Sequence, residues 1–184
     1  MNTPVLMWHP TPEKSNFGLG GEFSSPPLCA CGTKMSHVAV FPHKKDIVQF
    51  FYCTECEIKE GFLSKDQKKT PFALSFLSPI EALGLEKKLN KDSDFCPWVS
   101  YKSTSATMSP RPNALLNEYA PDRGVYMSGF STEPSPHCQE CQKAMELFLT
   151  LDSFAHENFN WGDFGTLHLW ICPRHRNSVV LKIK

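Results

Sequence analysis

Eight residues of this chain have the chemistry and the spacing to hold metal ions. Cys29 and Cys31 stand one residue apart, and Cys53 and Cys56 follow after an interval of 21 residues (32–52). Cys138 and Cys141 are followed, after 30 residues (142–171), by Cys172 and His175. A tetrahedral zinc ion takes thiolate or imidazole ligands at about 2.0–2.3 Å, and two ligands on one tight turn can converge on one ion. A second such turn completes the tetrahedron and leaves no coordination position open, which marks structural rather than catalytic zinc. The expectation is two structural zinc sites, Cys29/Cys31/Cys53/Cys56 and Cys138/Cys141/Cys172/His175. An iron–sulfur cluster is the rival for the four-cysteine set. Disulfides are the rival for all the cysteines if the chain is secreted.

The two ligand sets repeat one phrase. In each, a Met stands four residues after the second cysteine, Met35 after Cys31 and Met145 after Cys141, and a short apolar run follows. Gly32 suits the positive φ that a knuckle requires, and Pro173 stiffens the turn between Cys172 and His175. The elements that must carry these turns are strands. His37–Phe41, 47–53, Glu146–Leu151, 166–172 and 178–183 are rich in β-branched and aromatic residues. Between the copies, "SPIEALGLEKKLN" carries a capping box, with Ser78 as N-cap, Pro79 first in the helix and Glu81 third. Ile80, Leu83 and Leu89 are expected on one face of that helix. "NALLNEYA" reads as a second helical turn and "YKSTSATMSPRPN" as a mobile loop. The fold expected is mainly β (α+β), with two pseudo-repeated zinc-knuckle lobes packed as one domain over 1–184. The first half covers about 15–64, a helix-and-loop insertion about 65–122, and the second half about 123–184.

Composition restricts the function classes. The 19 basic residues are balanced by 19 acidic ones, which argues against a surface built mainly to neutralise nucleic-acid phosphates. The lysines of "KDQKK" and "EKKLNK" are interleaved with acids and read as solvated helix faces. No basic segment leads into an apolar one at the start, and no run reaches membrane-spanning length, so a cytoplasmic protein is expected.

An enzyme is not expected either. His156, Asp163 and His168 lie near the second ligand set, but a saturated zinc cannot activate water. His168 is expected on a solvent-facing or hydrogen-bonded side of its strand, and Asp163 in a turn. No catalytic triad, phosphate loop or HExxH occurs. Cys96 stands outside both sets and reads as a small buried hydrophobe. His43 and His137 read as surface residues, and Met35 and Met145 as core beneath their knuckles. Trp8, Trp98, Trp161 and Trp170 read as core, and Trp161, in the loop "HENFNWGDF", is the one whose exposure would favour a partner contact.

Three stretches carry a family resemblance: Phe17-Gly18-Leu19-Gly20-Gly21, Cys31 to Met35, and Asn158 to His175. They resemble the bacterial YwqG-like family, related to the programmed-cell-death-two-like proteins of eukaryotes. Members typically carry a Gly-Gly-x-Pro element, a C-x-x-C-x-x-x-M element and a "GDxGxxYxFxCxxH" ending. Trp161 to Thr166 through Cys172-Pro173-Arg174-His175 is the closest match, and Cys138 to Met145 the next. The resemblance covers both ends of the chain and not its middle, and the first knuckle departs from it as CxC. It implies a zinc-dressed β interaction module. Many bacterial relatives look like immunity proteins, which implies a cognate secreted toxin as partner, blocked by steric occlusion through the "YKSTSATMSPRPN" and "HENFNWGDF" segments. A zinc-ribbon role in nucleic-acid binding, or a chaperone-like adaptor role, is the alternative. No small-molecule substrate and no membrane partner are expected.

Overall fold

A computed structural model describes residues 3–56, 62–64, 71–94, 96–108, 125–127, 134–153, 161 and 165–183. The strands are β1 (Thr3–Pro10), β2 (Gly18–Leu19), β3 (Glu22–Phe23), β4 (Ser36–His43), β5 (Asp46–Tyr52), β6 (Phe62–Ser64), β7 (Phe72–Leu77), β8 (Leu89–Asn90), β9 (Val99–Met108), β10 (Val125–Met127), β11 (Glu146–Asp152), β12 (Thr166–Ile171) and β13 (Val179–Ile183). Among the described residues, one short helix, α1 (Pro79–Ala82), and a 3-10 turn at Leu85–Lys87 lie between β7 and β8. The protein is mainly β. The chain forms two compact units: a CxC unit, Pro10–Ile58 with Asp66–Lys102, and a CxxC unit, Met1–His9 with Lys59–Lys65 and Ser103–Lys184.

The CxC unit holds β2, β4, β5 and β7 with the Val99–Lys102 end of β9, in an antiparallel sheet ordered β9–β2–β4–β5–β7. Its centre is the β4–β5 hairpin, which turns through Lys44 at φ 56°. Val38, Phe41, Phe50 and Phe51 are all buried, so β4 and β5 lose solvent on both faces. This is why they read as continuous apolar runs rather than alternating ones. Phe41 meets the fully buried Tyr101 ring edge-on at 6.2 Å between centroids.

The CxxC unit is an antiparallel sheet ordered β6–β13–β12–β11–β10–β1. Leu149, Leu151, Leu167, Leu169 and Leu181 fill its core with less than 2% exposure each. Leu167 and Leu169 face inward on β12 while Thr166 and His168 stay half-buried, the period of two that a strand imposes.

Three expectations for the middle of the chain change. The 65–122 stretch is not only helix and loop: β7 pairs along β5 from Tyr52↔Phe72 to Ile47↔Leu77, and β9 pairs with β2. Residues 101–108, expected in a mobile loop, are the body of β9; small Ser and Thr residues made the segment resemble a loop, but they fit a pleated strand once a neighbour takes their backbone groups. The rest of "YKSTSATMSPRPN" and "NALLNEYA" lie outside the described residues. The capping box of α1 forms as expected, with Glu81 N–H donating to Ser78 Oγ and Ser78 N–H donating to Glu81 Oε2 at 2.8 Å. The helix nevertheless stops after one turn, before Gly84, and Leu89 enters β8 instead. Ile80 and Leu83 are therefore 82% and 76% exposed rather than packed with Leu89. Glycine weakens helix propagation, and a helix this short depends on tertiary cover that these residues lack.

Candidate metal centres

The two knuckles are built alike. In the CxC unit the N–H of Cys29 donates to Thr33 O at 2.9 Å, and the N–H of Met35 to Pro27 O at 3.0 Å. In the CxxC unit the N–H of Cys138 donates to Lys143 O at 2.9 Å, and that of Met145 to Pro136 O at 2.8 Å. The residue after each second cysteine takes a positive φ, Gly32 at 91° and Gln142 at 57°. A register shift follows at the same offset, between His37 and Ala39 in β4 and between Leu147 and Leu149 in β11. Such bulges re-aim a strand, and here each lies just beyond a knuckle. Met35 and Met145 are buried beneath their cysteines, packed in clusters with Cys29 and Cys53 and with Cys138 and Cys172.

The second ligand pairs arrive at the ends of β5 and β12. The N–H of Cys53 donates to Pro71 O, and that of Cys172 to Ser178 O, so each turn is tied to the approach of the next strand. All eight side chains singled out from the sequence converge as two sets of four, whose ligand atoms lie within 4.8 Å of one another. In the first set the Sγ atoms of Cys29 and Cys56, and of Cys31 and Cys53, are 3.6 Å apart. In the second, Cys141 and Cys172 Sγ are 3.7 Å apart, and His175 Nδ1 lies 3.5 Å from Cys138 Sγ and 3.8 Å from Cys172 Sγ. A tetrahedral metal–thiolate site with arms of about 2.3 Å has edges of about 3.8 Å. Disulfide sulfurs would lie about 2.05 Å apart, and none of the eight cysteines is in a disulfide. Each set can hold one metal ion.

The electrostatics of the thiols point the same way. The Thr33 hydroxyl and then the Thr33 backbone N–H pull the Cys31 thiol down to about 6. Burial works against ionisation of Cys138, but the Ser178 hydroxyl, 3.2 Å from Sγ, with backbone N–H groups and His175, outweighs it and brings that thiol to about 5. Burial pushes Cys53 and Cys172 up, and the neighbouring thiol of Cys29, followed by those of Cys31 and Cys53, pushes Cys56 up to about 12. Crowded thiolates thus resist joint ionisation unless a cation sits among them.

Other candidates separate from these centres. His168 is half-buried on its strand with Nδ1 3.2 Å from Thr150 Oγ1, and burial lowers its pKa. His137 is exposed and His43 half-buried, and neither joins a ligand set. Cys96 is half-buried outside both, and its carbonyl accepts the Gly21 N–H at 2.9 Å. Trp161 is only 2% exposed, and its N–H donates to Ser153 Oγ at 2.9 Å. The core reading of that ring holds, and its partner-contact reading does not: loop composition alone does not reveal which way a ring folds. Asp163, His156 and the other residues of "HENFNWGDF" lie outside the described residues.

One residue went unrecognised in the sequence. His37 is buried on β4, donating from Nδ1 to Gly20 O at 2.7 Å, while its Nε2 has no hydrogen-bond partner among the described residues. Its ring is stacked between Phe23 and Trp98, at 6.1 and 6.5 Å. Burial, only partly offset by that hydrogen bond, lowers its pKa to about 4. The signal was the glycine run: Gly20 and Gly21 take φ 82° and 76°, turning the Gly20 carbonyl toward the ring.

Among the described residues no helix is long and apolar enough to cross a membrane. Comparison with protein-family models and with curated proteins gives no match.

Proposed function

We propose that the protein is a non-enzymatic binding module stapled by two zinc ions, and that its partner is a cognate protein toxin which it blocks by covering. The observation that carries the zinc reading is the closure of each ligand set. Four protein atoms already lie near tetrahedral edge distances, so a bound ion has no position left for water or substrate. Three thiolates with one imidazole, and four thiolates, are donor sets that suit zinc. An ion held this way neutralises the crowded thiolates and locks two knuckles, and so supplies folding energy rather than reactivity. Cys29, Cys31, Cys53 and Cys56 hold one ion; Cys138, Cys141, Cys172 and His175 hold the other. The resemblance of the glycine run, the knuckles and the Cys172–His175 ending to YwqG-like proteins supports an immunity role.

Two measurements test this reading. Metal analysis of protein purified without chelators should return two zinc equivalents per chain, one for each ligand set; iron with bound sulfide, or folded metal-free protein, would overturn the zinc reading. A neighbouring gene should encode a secreted toxin, and cells expressing that toxin should survive only when this protein is co-expressed. Unrelieved toxicity, together with salt-sensitive binding of RNA or DNA, would replace immunity by nucleic-acid binding.

A further inference from the structure

Within the CxC unit, α1, the 3-10 turn and β8 leave a cavity of about 200 Å³ against one face of the sheet. Val40 and Ile47 contribute from β4 and β5, and Leu83, Leu85 and Leu89 from the segment above. An apolar cavity of about 150 Å³ accepts a benzene ring, so this one has room for an indole or a long aliphatic side chain.

Among the described lining residues, Lys91 is the one that carries a charge. Its ammonium is held in place by neutral groups: Nζ donates to Ser15 O at 3.1 Å and to Asn16 Oδ1 at 3.3 Å, and lies 4.9 Å from the Trp98 ring centroid. None of these neutralises it. A positioned cation beside an apolar cavity is complementary to a ligand with an apolar body and a carboxylate next to it.

The rim decides which kind of ligand. Leu83 lines the cavity and is 76% exposed; Ile80, one turn away on the same short helix, is 82% exposed. A small acid seated in the cavity would leave both uncovered, whereas a protein surface would bury them together with the anchor.

We propose that this cavity is where a protein partner anchors, by one large aromatic or aliphatic side chain flanked by a carboxylate that pairs with Lys91. The proposal rests on the reading of the protein as a protein-binding module, and it gives that module a contact surface.

The test is backbone shift mapping of the zinc-loaded full chain with capped peptides Asp-Trp-Asp, Asn-Trp-Asn and Asp-Ala-Asp, and with indole-3-acetate. Asp-Trp-Asp should shift Val40, Ile47, Leu85 and Leu89, and bind roughly three- to tenfold more tightly than Asn-Trp-Asn. Lys91→Met should erase that difference. Asp-Ala-Asp should not bind measurably. Ile80→Asp, at an exposed position outside the cavity lining, should weaken the Trp peptide about tenfold but leave indole-3-acetate unchanged. Shifts mapping elsewhere, or equal binding of the Asp and Asn peptides, would overturn the proposal. So would indole-3-acetate binding as tightly as the Trp peptide, with Ile80→Asp affecting neither, because the cavity would then be a small-acid site. The peptides read the cavity without the toxin, so their failure and a failure of rescue in cells are separate results.

Discussion

The two knuckles solve one geometric problem with different residues. Both need a left-handed residue directly after the second cysteine. The CxC knuckle uses Gly32, and the CxxC knuckle uses Gln142, whose Nε2 donates to Gln139 O at 3.0 Å. In the shorter CxC turn this residue takes φ 91°, against 57° in the CxxC turn. The value of 57° lies where a non-glycine residue is tolerated, while 91° lies where glycine is strongly favoured. The sites also differ in access. Cys31 is exposed, whereas no ligand of the CxxC set is. A sequence repeat therefore preserves the scaffold around a site, the buried Met, the bulge and the strand-end ligands, while leaving strain and accessibility free to diverge.

The largest test of this comparison is metal removal. Structural zinc supplies on the order of 10–16 kcal/mol in small zinc domains, so chelation should abolish cooperative unfolding of both units. Release should be stepwise, the CxC ion first through the exposed Cys31. Native mass spectrometry during chelator titration, on wild type and on Cys31→Ser and Cys141→Ser variants, will reveal the order; simultaneous loss would mean the two sites are equivalent.

Gly18→Ala should break one unit selectively. A Cβ there would meet Val99 O and the Trp98 ring, the latter at 2.8 Å. A clash with backbone should destabilise the CxC unit by about 3 kcal/mol or more. Hydrogen exchange should then show β4 and β5 opening while β11 to β13 keep their protection. Uniform loss of protection would show the units to be one cooperative body.

His37 makes the CxC unit acid-sensitive. Its folded pKa of about 4 lies below the unfolded value of 6.5, so the unfolded chain binds the extra proton first. The stability tied to neutral His37 is complete above about pH 6.5 and declines as the pH falls toward about 4. Between about pH 7 and pH 5 the wild type should lose about 2 kcal/mol more than His37→Phe. Urea unfolding of metal-loaded samples measures this; parallel pH profiles would remove His37 from the account.

The smallest effect addresses the turns themselves. An added Cβ at Gly32 meets no atom within 4 Å, so Gly32→Ala should destabilise by about 1 kcal/mol through backbone strain alone. Gln142→Gly should change stability by no more than about 0.5 kcal/mol, relief of strain being offset by unfolded-chain entropy. Equal effects at both positions would show that the longer CxxC turn does not ease the conformation.

Much of the site was legible in the sequence because its signals are local. Ligand spacing, the Met four residues later and the apolar strands depend on a few consecutive residues, and all eight ligands do converge as pairs of turns. The strand limits of β4, β5, β11, β12 and β13 were also readable from β-branched and aromatic runs. The capping box was readable too, but not where its helix ends, because propagation past Gly84 depends on cover that no local pattern encodes.

What the sequence by itself determined is therefore the ligand sets and the strands that carry them. Tertiary structure alone decided the rest: that Ser- and Thr-rich 101–108 pairs as a strand, that Trp161 folds inward, that His37 is stacked between two aromatic rings, and that α1 leaves a cavity beside Lys91. Each of these depends on which distant residue takes up a hydrogen bond or a face, and that is set by the assembled sheet rather than by neighbours along the chain.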